Sequence, residues 1–587
     1  MVNLKAGPFH LSRADRKWVM DTIAYMSAAE KVGQIFFGIS VSFVEDYLTD
    51  LVQTYHPGGC RYNTAPGLAV RRHNEVLQQS SKIPLFIAAN TEAGGDACSD
   101  GTYLGTGVKI GATGKSGYAY ALGKLSNEEA AAVGCNMAFA PVCDIPTNWQ
   151  NTEVISRAFG RDAKLVTDMS TAYLRGAHAI PGFACAAKHF PGNGRDFRDA
   201  HLANNLNDCS VKEWNDTYGK VYKALIKEGL DAVMAGHIML PAYAKALNKD
   251  LSDEEAMLPA TLSRELITKL LREKLGFNGL VLTDTTHMVG MTCRMKRRDM
   301  LVKSSINAGC DMLLFFNDPD EDFNTVLNAY LNGTISEERI QDALMRILGL
   351  KAHMGLHKAK DLVPSAGDTE KVLQDTSRLE VARKISEGGI TLVKYKDAGV
   401  LPISPKRYKR IMLVHVKGAE NGMTALMKAV GMKGGSPVEH LKKKLEDKGF
   451  EVFIYQNPLD VMMKQAKAGR EPDVNEFFAG KSAVADFTAG MDLVITVCDV
   501  ASGRPSFGLS KGGGEIPWYV FEVPVIVLGL ETPTMLADIP QARTYINLYD
   551  ARDDTLDILV DKLMDGPKAF RGKDPIDSFC GLPDARL

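Results

Sequence analysis

The chain has little net charge of either sign: across 587 residues, 69 Lys and Arg stand against 71 Asp and Glu, a balance of -2. No global basic field exists to draw in nucleic acid or an anionic membrane, so a neutral, locally recognised ligand fits better. Long apolar runs are also missing, and none reaches the length needed to span a bilayer. The opening residues, Met1-Val2-Asn3-Leu4-Lys5-Ala6-Gly7-Pro8, lack the apolar stretch of a signal peptide. The ten cysteines stand singly from Cys60 to Cys580, without a Cys-x-x-Cys. That scatter suggests no structural zinc and reads as reduced thiols in a cytoplasmic protein. There is no short-period repeat and no low-complexity tract.

A chain of this length is expected to hold two to four domains. Short β-rich runs fall at 32–38, 59–62, 84–90, 137–145, 183–190, 232–240, 280–284 and 312–317. Most are separated by stretches of helical periodicity, such as 128–135, 166–179, 214–228 and 262–274. Eight strands alternating with helices predict a (β/α)8 barrel over 1–350. Residues 351–378, with Pro364, Gly367 and many charges, read as a linker. A second alternation over 379–587, with strands at 391–395, 411–416, 452–455, 493–497, 525–528 and 544–548, predicts an α/β sandwich domain with an open, mostly parallel sheet. No Gly-x-Gly-x-x-Gly follows its first strand, which leaves a dinucleotide site with little support. Lys511-Gly512-Gly513-Gly514 reads as a flexible loop that would either face the site or serve no part in it.

Polar residues cluster where a barrel collects its chemistry. Asn90-Thr91-Glu92 follows the third run, Asp144 lies in the fourth, Lys188-His189 ends the fifth, His237 sits in the sixth and Asp284 ends the seventh. In a (β/α)8 barrel these positions converge on the C-terminal face. The loop after the fifth run carries Asp199-x-His201, a spacing that lets a carboxylate hold and tune an imidazole for proton transfer near neutral pH. Asp284, following the apolar Leu280–Leu282, would present a carboxylate rigidly at the mouth, as a nucleophile requires. Each of these residues also has an ordinary structural reading: helix caps for the Asp residues, surface ion pairs for Lys188 and Arg157, satisfied core histidines for His189 and His237.

The motif Lys188-His189-Phe190-Pro191-Gly192-x-Gly194 followed by Asp199-x-His201 resembles the signature of the β-N-acetylglucosaminidase (NagZ-like) branch of glycoside hydrolase family 3, in its two-domain form. Arg157-Ala158-Phe159-Gly160-Arg161-Asp162 and Leu280-Val281-Leu282-Thr283-Asp284 resemble further family segments in the same order. The resemblance implies a retaining, exo-acting enzyme that removes a terminal N-acetylhexosamine. Asp284 would be the nucleophile, His201 the acid and base, and Asp199 its orienting partner. Lys188, His189, Arg157, Glu92 and His237 would bind the sugar. No metal and no cofactor are expected, since no His-x-His or His-Glu-x-x-His spacing is present.

The third strand departs from the family's Asp-x-Glu-Gly-Gly-Arg, reading Asn90-Thr91-Glu92-Ala93-Gly94-Gly95-Asp96 with no Arg after it. This leaves open which N-acetylhexosamine, or glucose, is preferred. Three rivals stay in view: a family 3 β-glucosidase, a phosphorylase that exploits the low repulsion between a neutral imidazole and an incoming phosphate, and an inactive sugar-binding barrel.

Overall fold

The computed structural model describes residues 2–292, 297–418, 435–456, 458–471, 484–501 and 518–587. The segment 511–514 lies outside the described residues. Met1–Gly111 with Lys115–Ala382 forms one compact unit, and Ala112–Gly114 with Arg383–Leu587 the other.

The first unit is a closed barrel of eight parallel strands: β1 (Phe36–Ser40), β2 (Gly59–Tyr62), β3 (Phe86–Ala89), β4 (Met137–Ala138), β5 (Ala184–Phe190), β6 (Ala232–Ala235), β7 (Leu280–Thr285) and β8 (Met312–Leu314). Each strand pairs with its sequence neighbours, and β1 closes on β8. Three expected boundaries shift by four residues or more. The first strand starts four residues late because Ser27 caps helix Ala28–Gly33 through a capping box and draws Val32 and Gly33 into it. The fourth stops at Ala138, and beyond it only Val142 bridges to Lys188. The sixth leaves the barrel at Gly236, and Ile238–Met239 pairs instead with Asn205–Leu206.

Strand periodicity explains how the site is mounted. Phe86 and Ala88, Ala184 and Ala186, Ala232 and Met234, and Leu280 and Leu282 belong to one buried cluster filling the barrel. With a side-chain period of two, Asn90, Lys188 and Asp284 continue those inward-facing rows as the next layer up. The chemistry at the mouth is the top of the same stack whose lower layers are core. Truncating Leu282 to Ala costs about 2–5 kcal/mol at such a site and loosens the strand under Asp284.

Helix Ala163–His178 begins where the Asp162 side chain accepts from Leu165 N at 2.8 Å, so the acidic end of the Arg157–Asp162 motif is a cap. Residues 351–378 are not an extended linker. Helix Glu337–His353 runs into them with Lys351 fully buried, and helix Ala366–Leu373 packs on helices Gly67–Ser80 and Ser116–Ala132. Apart from Lys351, the charges that suggested a linker are exposed, as at Lys360, Asp368 and Lys371, or paired, as Arg378 is with Glu128.

The second unit has a six-stranded sheet of β9 (Thr391–Tyr395), β10 (Arg410–Lys417), β11 (Glu451–Ile454), β12 (Leu493–Asp499), β13 (Val525–Gly529) and β14 (Thr544–Asn547). Its order is β9-β14-β13-β12-β10-β11, with only β9 antiparallel. Alternate residues feed two cores: Ile411, Leu413 and Ile495 on one face, Val414, Val416 and Val494 on the other. This burial on both faces accounts for the near-continuous apolar strands. Among the described residues no helix is long and apolar enough to cross a membrane.

Candidate active site

The loop after β5 is built by close packing. A Cβ on Gly192 would come within 2.0 Å of the Tyr218 ring, and one on Gly194 within 2.4 Å of the Ile145 carbonyl. Both glycines also have positive φ, 121° and 114°. Trp214 Nε1 donates to the Pro191 carbonyl at 2.8 Å, and the Tyr218 hydroxyl reaches the Ile145 and Asn193 carbonyls at 3.1 Å. The buried Asn193 side chain donates to Glu153 Oε2 at 2.8 Å and accepts from Gly194 N at 2.6 Å and Asn151 Nδ2 at 3.1 Å.

Asp144 holds two parts together. Its Oδ2 lies 2.7 Å from His189 Nδ1, while its Oδ1 accepts from Asn193 N at 2.7 Å and His189 N at 3.2 Å. His189 Nε2 is left pointing toward Asp284 Oδ2 at 4.0 Å. The Asp284 side chain is 14% exposed and accepts from Thr285 N at 2.8 Å. Burial alone would raise its pKa, but His189, His237, the Thr285 N–H and Lys188 together hold it below the ordinary carboxylate value. The result is an ionised carboxylate at the end of a strand anchored in the core.

His237 has both ring nitrogens engaged. Nε2 donates to the Thr285 carbonyl at 2.9 Å, so Nδ1 is the acceptor for the Thr261 hydroxyl at 2.8 Å. Its ring holds the backbone beside Asp284 and offers no free donor to a sugar.

Glu92, Arg157 and Lys188 form a cluster on the β3–β5 side of the mouth. Arg157 Nε and Nη2 grip Glu92 at 2.8 and 2.9 Å in a two-pronged pair, and Lys188 Nζ meets Glu92 Oε1 at 2.5 Å. Burial pushes the Glu92 pKa up, and the two cations overcome it and drive it well down. Burial lowers the Lys188 pKa against the pull of Glu92. Three of the roughly four lone-pair directions on Glu92 are used, and Lys188 keeps two N–H donors free of Glu92.

Asp199 and His201 form the dyad that their spacing predicts. Asp199 Oδ1 accepts from both His201 N at 2.8 Å and His201 Nδ1 at 2.7 Å. The His201 side chain is 55% exposed. Its hydrogen bond to Asp199 raises its pKa despite some burial, with Glu153 and Asp284 adding to the effect. Asp199 is held below its ordinary value because His201 outweighs burial. The segment is tied to the chain just past Asp284: Gly290 N donates to the Ala200 carbonyl at 2.9 Å and Val289 N to that of His201 at 3.3 Å.

Glu153 was not singled out in the sequence. It lies in an irregular loop with no spacing signal, yet Asn193 Nδ2 and Ala200 N both donate to it, so it props the loop that carries Asp199 and His201. Burial pushes its carboxyl pKa up. Glu153, Asp199 and His201 each bring one ligand-type atom within 4.8 Å of the others.

Residues 30–350 match the model of the glycosyl hydrolase family 3 N-terminal domain. A β-N-acetylglucosaminidase/β-glucosidase of Cellulomonas fimi is 35% identical over 599 residues, covering 100% of both chains. The solved structure of a β-glucoside phosphorylase, BglX, bound to 2FGlc superposes with a TM-score of 0.88 at 34% identity and 99% coverage of each chain. A family 3 β-N-acetylglucosaminidase from Paenibacillus sp. shares the fold at a TM-score of 0.75 and 23% identity, covering 95% of this chain and all of that one. With an eight-stranded barrel, a mixed-sheet second domain and these relatives, the chain belongs to glycoside hydrolase family 3.

Proposed function

We propose that the chain is a retaining, exo-acting β-N-acetylglucosaminidase working by double displacement. One observation carries this reading: a carboxylate held ionised at the end of β7, beside a loop that bears an Asp-bound imidazole and is tied to the residues following that carboxylate. Asp284 attacks C1 of the terminal sugar while His201 gives a proton to the departing oxygen, forming a glycosyl ester on Asp284. His201, now neutral, takes the proton of the acceptor as it attacks C1 and the ester bond breaks. Configuration at C1 is kept. Asp199 fixes the tautomer and stabilises the protonated ring. Lys188, Arg157, Glu92 and His189 bind sugar hydroxyls, and His237 positions Asp284. The Cellulomonas fimi relative, whose name covers both β-N-acetylglucosaminidase and β-glucosidase, supports a glucose-configured terminal sugar. The nine described cysteines are all buried free thiols, which supports a reducing, cytoplasmic setting.

A second reading concerns the acceptor. The proton-transfer group is a half-exposed imidazole, which repels an anion less than a carboxylate would, and a relative at 34% identity is titled a β-glucoside phosphorylase. Inorganic phosphate then replaces water and the product is a sugar 1-phosphate.

The test is a set of initial rates with aryl β-N-acetylglucosaminide and aryl β-glucoside at neutral pH, with and without phosphate, and with chromatography of the sugar product. Faster release from the N-acetyl sugar supports the first reading. Faster release from the glucoside moves the substrate to the β-glucosidase type. Sugar 1-phosphate as the main product establishes phosphorolysis, and no release of either aryl group supports an inactive sugar-binding barrel.

A further inference from the structure

Beside the cluster just described lies a cavity of about 480 Å³ at the C-terminal ends of β2 and β3, lined by Arg61, Tyr62, Asn63, Thr64, Asn90 and Asp96 among others. Arg61 occupies an inward row on β2: two residues earlier, a Cβ on Gly59 would meet the Phe37 ring at 2.5 Å inside the barrel. Its guanidinium, only partly exposed, has no hydrogen-bond or ion-pair partner among the described residues. The side chains of Asn63, Thr64 and Asn90 have none there either. A guanidinium stays charged at any physiological pH, and leaving one partly buried without a partner is costly.

Asp96 faces the same cavity. Its Oδ2 accepts from Ala93 N at 2.8 Å and Gly94 N at 3.1 Å. Burial pushes its carboxyl up to about 6, with Glu92 adding to the effect. Arg61 and Asp96 feel each other electrostatically yet form no ion pair. The cavity thus holds a group that only donates, a group that chiefly accepts, and neutral amides between them. An anion would satisfy Arg61 but meet Asp96; a hydroxyl both donates and accepts and satisfies the two together.

The cavity's place fixes which hydroxyls these are. C1 must lie against Asp284 on β7, and going β7-β8-β1-β2 round the barrel puts Arg61 three strands away, across the mouth. Between them on the other arc stand Lys188 and Glu92. We propose that Arg61 and Asp96 form a recognition pocket for hydroxyls at the end of the terminal sugar remote from C1, its C4 hydroxyl and C6 hydroxymethyl group, and so decide which sugar is accepted. This rests on the nucleophile assignment above and adds the element that separates gluco from galacto and xylo sugars.

The experiment measures kcat/KM for aryl β-glycosides of gluco, galacto (C4 epimer) and xylo (no C6) configuration, in the C2 series the wild type cleaves faster, using wild type, Arg61→Ala and Asp96→Asn. The expected result is a loss of about 10- to 100-fold on the gluco substrate in each variant, the worth of one or two hydrogen bonds to a charged group, with smaller losses on the galacto and xylo substrates, each of which lacks one of the two contacts. An equal loss on all three substrates, or none, overturns the proposal. Melting temperature is read for each variant; if Arg61→Ala does not fold, the shape-preserving Asp96→Asn carries the test. A second arm measures binding of free glucose and xylose by calorimetry. If the wild type cleaves no substrate, the proposed function fails, and selective loss of glucose binding in the variants still supports the pocket, whereas unchanged binding overturns it.

Discussion

His189 stands between two carboxylates, its Nδ1 at 2.7 Å from Asp144 and its Nε2 at 4.0 Å from Asp284. The first contact sets the ring's orientation, and the second brings its far edge beside the anion that the proposed mechanism needs. Asp284 is therefore tuned from outside its own strand, by a ring that a carboxylate in the loop after β4 aims.

On the proposed mechanism, replacing Asp284 with Ala removes the atom that bonds C1. Aryl release should fall to near background with sugar binding retained, since Lys188, Arg157 and Glu92 are untouched. A 2-fluoro glycoside with a good leaving group should label the wild type with one sugar, and peptide mass mapping should place it on Asp284. A label on another residue would sink the assignment.

His201→Ala should cost about 10²- to 10⁴-fold on substrates with poor leaving groups, the usual worth of a positioned proton donor. Much less should be lost in the glycosylation step with a nitrophenyl-type leaving group that departs unassisted. Equal losses on both classes would mean that His201 does not protonate the leaving oxygen.

The pH profile of kcat/KM follows from the two shifted groups. Asp284 must be ionised, and its lowered pKa puts the acid limb below the ordinary Asp value of about 3.9. His201 must be protonated to act as the acid, and its raised pKa puts the alkaline limb above about 6.5, with activity lost as pH rises through it. Asp199 is the main cause of that rise, so Asp199→Asn should move the alkaline limb to lower pH and leave the acid limb in place. An unmoved alkaline limb would remove the dyad from the mechanism.

Glu92→Gln leaves Arg157 and Lys188 facing each other with no anion between them. Breaking a buried pair in this way typically costs about 3–5 kcal/mol, and denaturant unfolding of wild type and variant should show it. A variant as stable as wild type would mean that the cluster is wetter than its burial suggests.

Chelation with EDTA should leave the initial rate unchanged, because the roles of Asp199, His201 and Glu153 are met by hydrogen bonds within the loop. A rate abolished by chelation and restored by a divalent cation would identify those three as ligands.

The barrel was legible because its strands are short apolar runs ending in polar residues, and Lys188, His189 and Asp284 stand at the ends of theirs. The Asp199–His201 pair was legible because the interaction spans two residues. What escaped was long-range. Glu153 acts across 40 residues through Asn193 and carries no periodicity. His237 reads as a sugar ligand until the carbonyl of Thr285, 48 residues on, proves to occupy its Nε2. Arg61 stands one residue before the end of a predicted strand and could have been flagged by that position alone, but only the cavity beside it gives the position meaning. The linker at 351–378 misled because charge and proline content describe surface helices as well as extended chain.

One acceptor atom, Asp199 Oδ1, receives both the backbone N–H and the ring N–H of His201. On the proposed mechanism the proton carrier and the group that sets its strength therefore form one cassette, while the carboxylate that bonds carbon is fixed at the barrel mouth by β7. A change in how far the imidazole reaches, and so in which acceptor it serves, would keep the Asp199 contact that contributes most to its basicity. In such an enzyme the choice of acceptor and the making of the ester are separable properties, open to change one at a time.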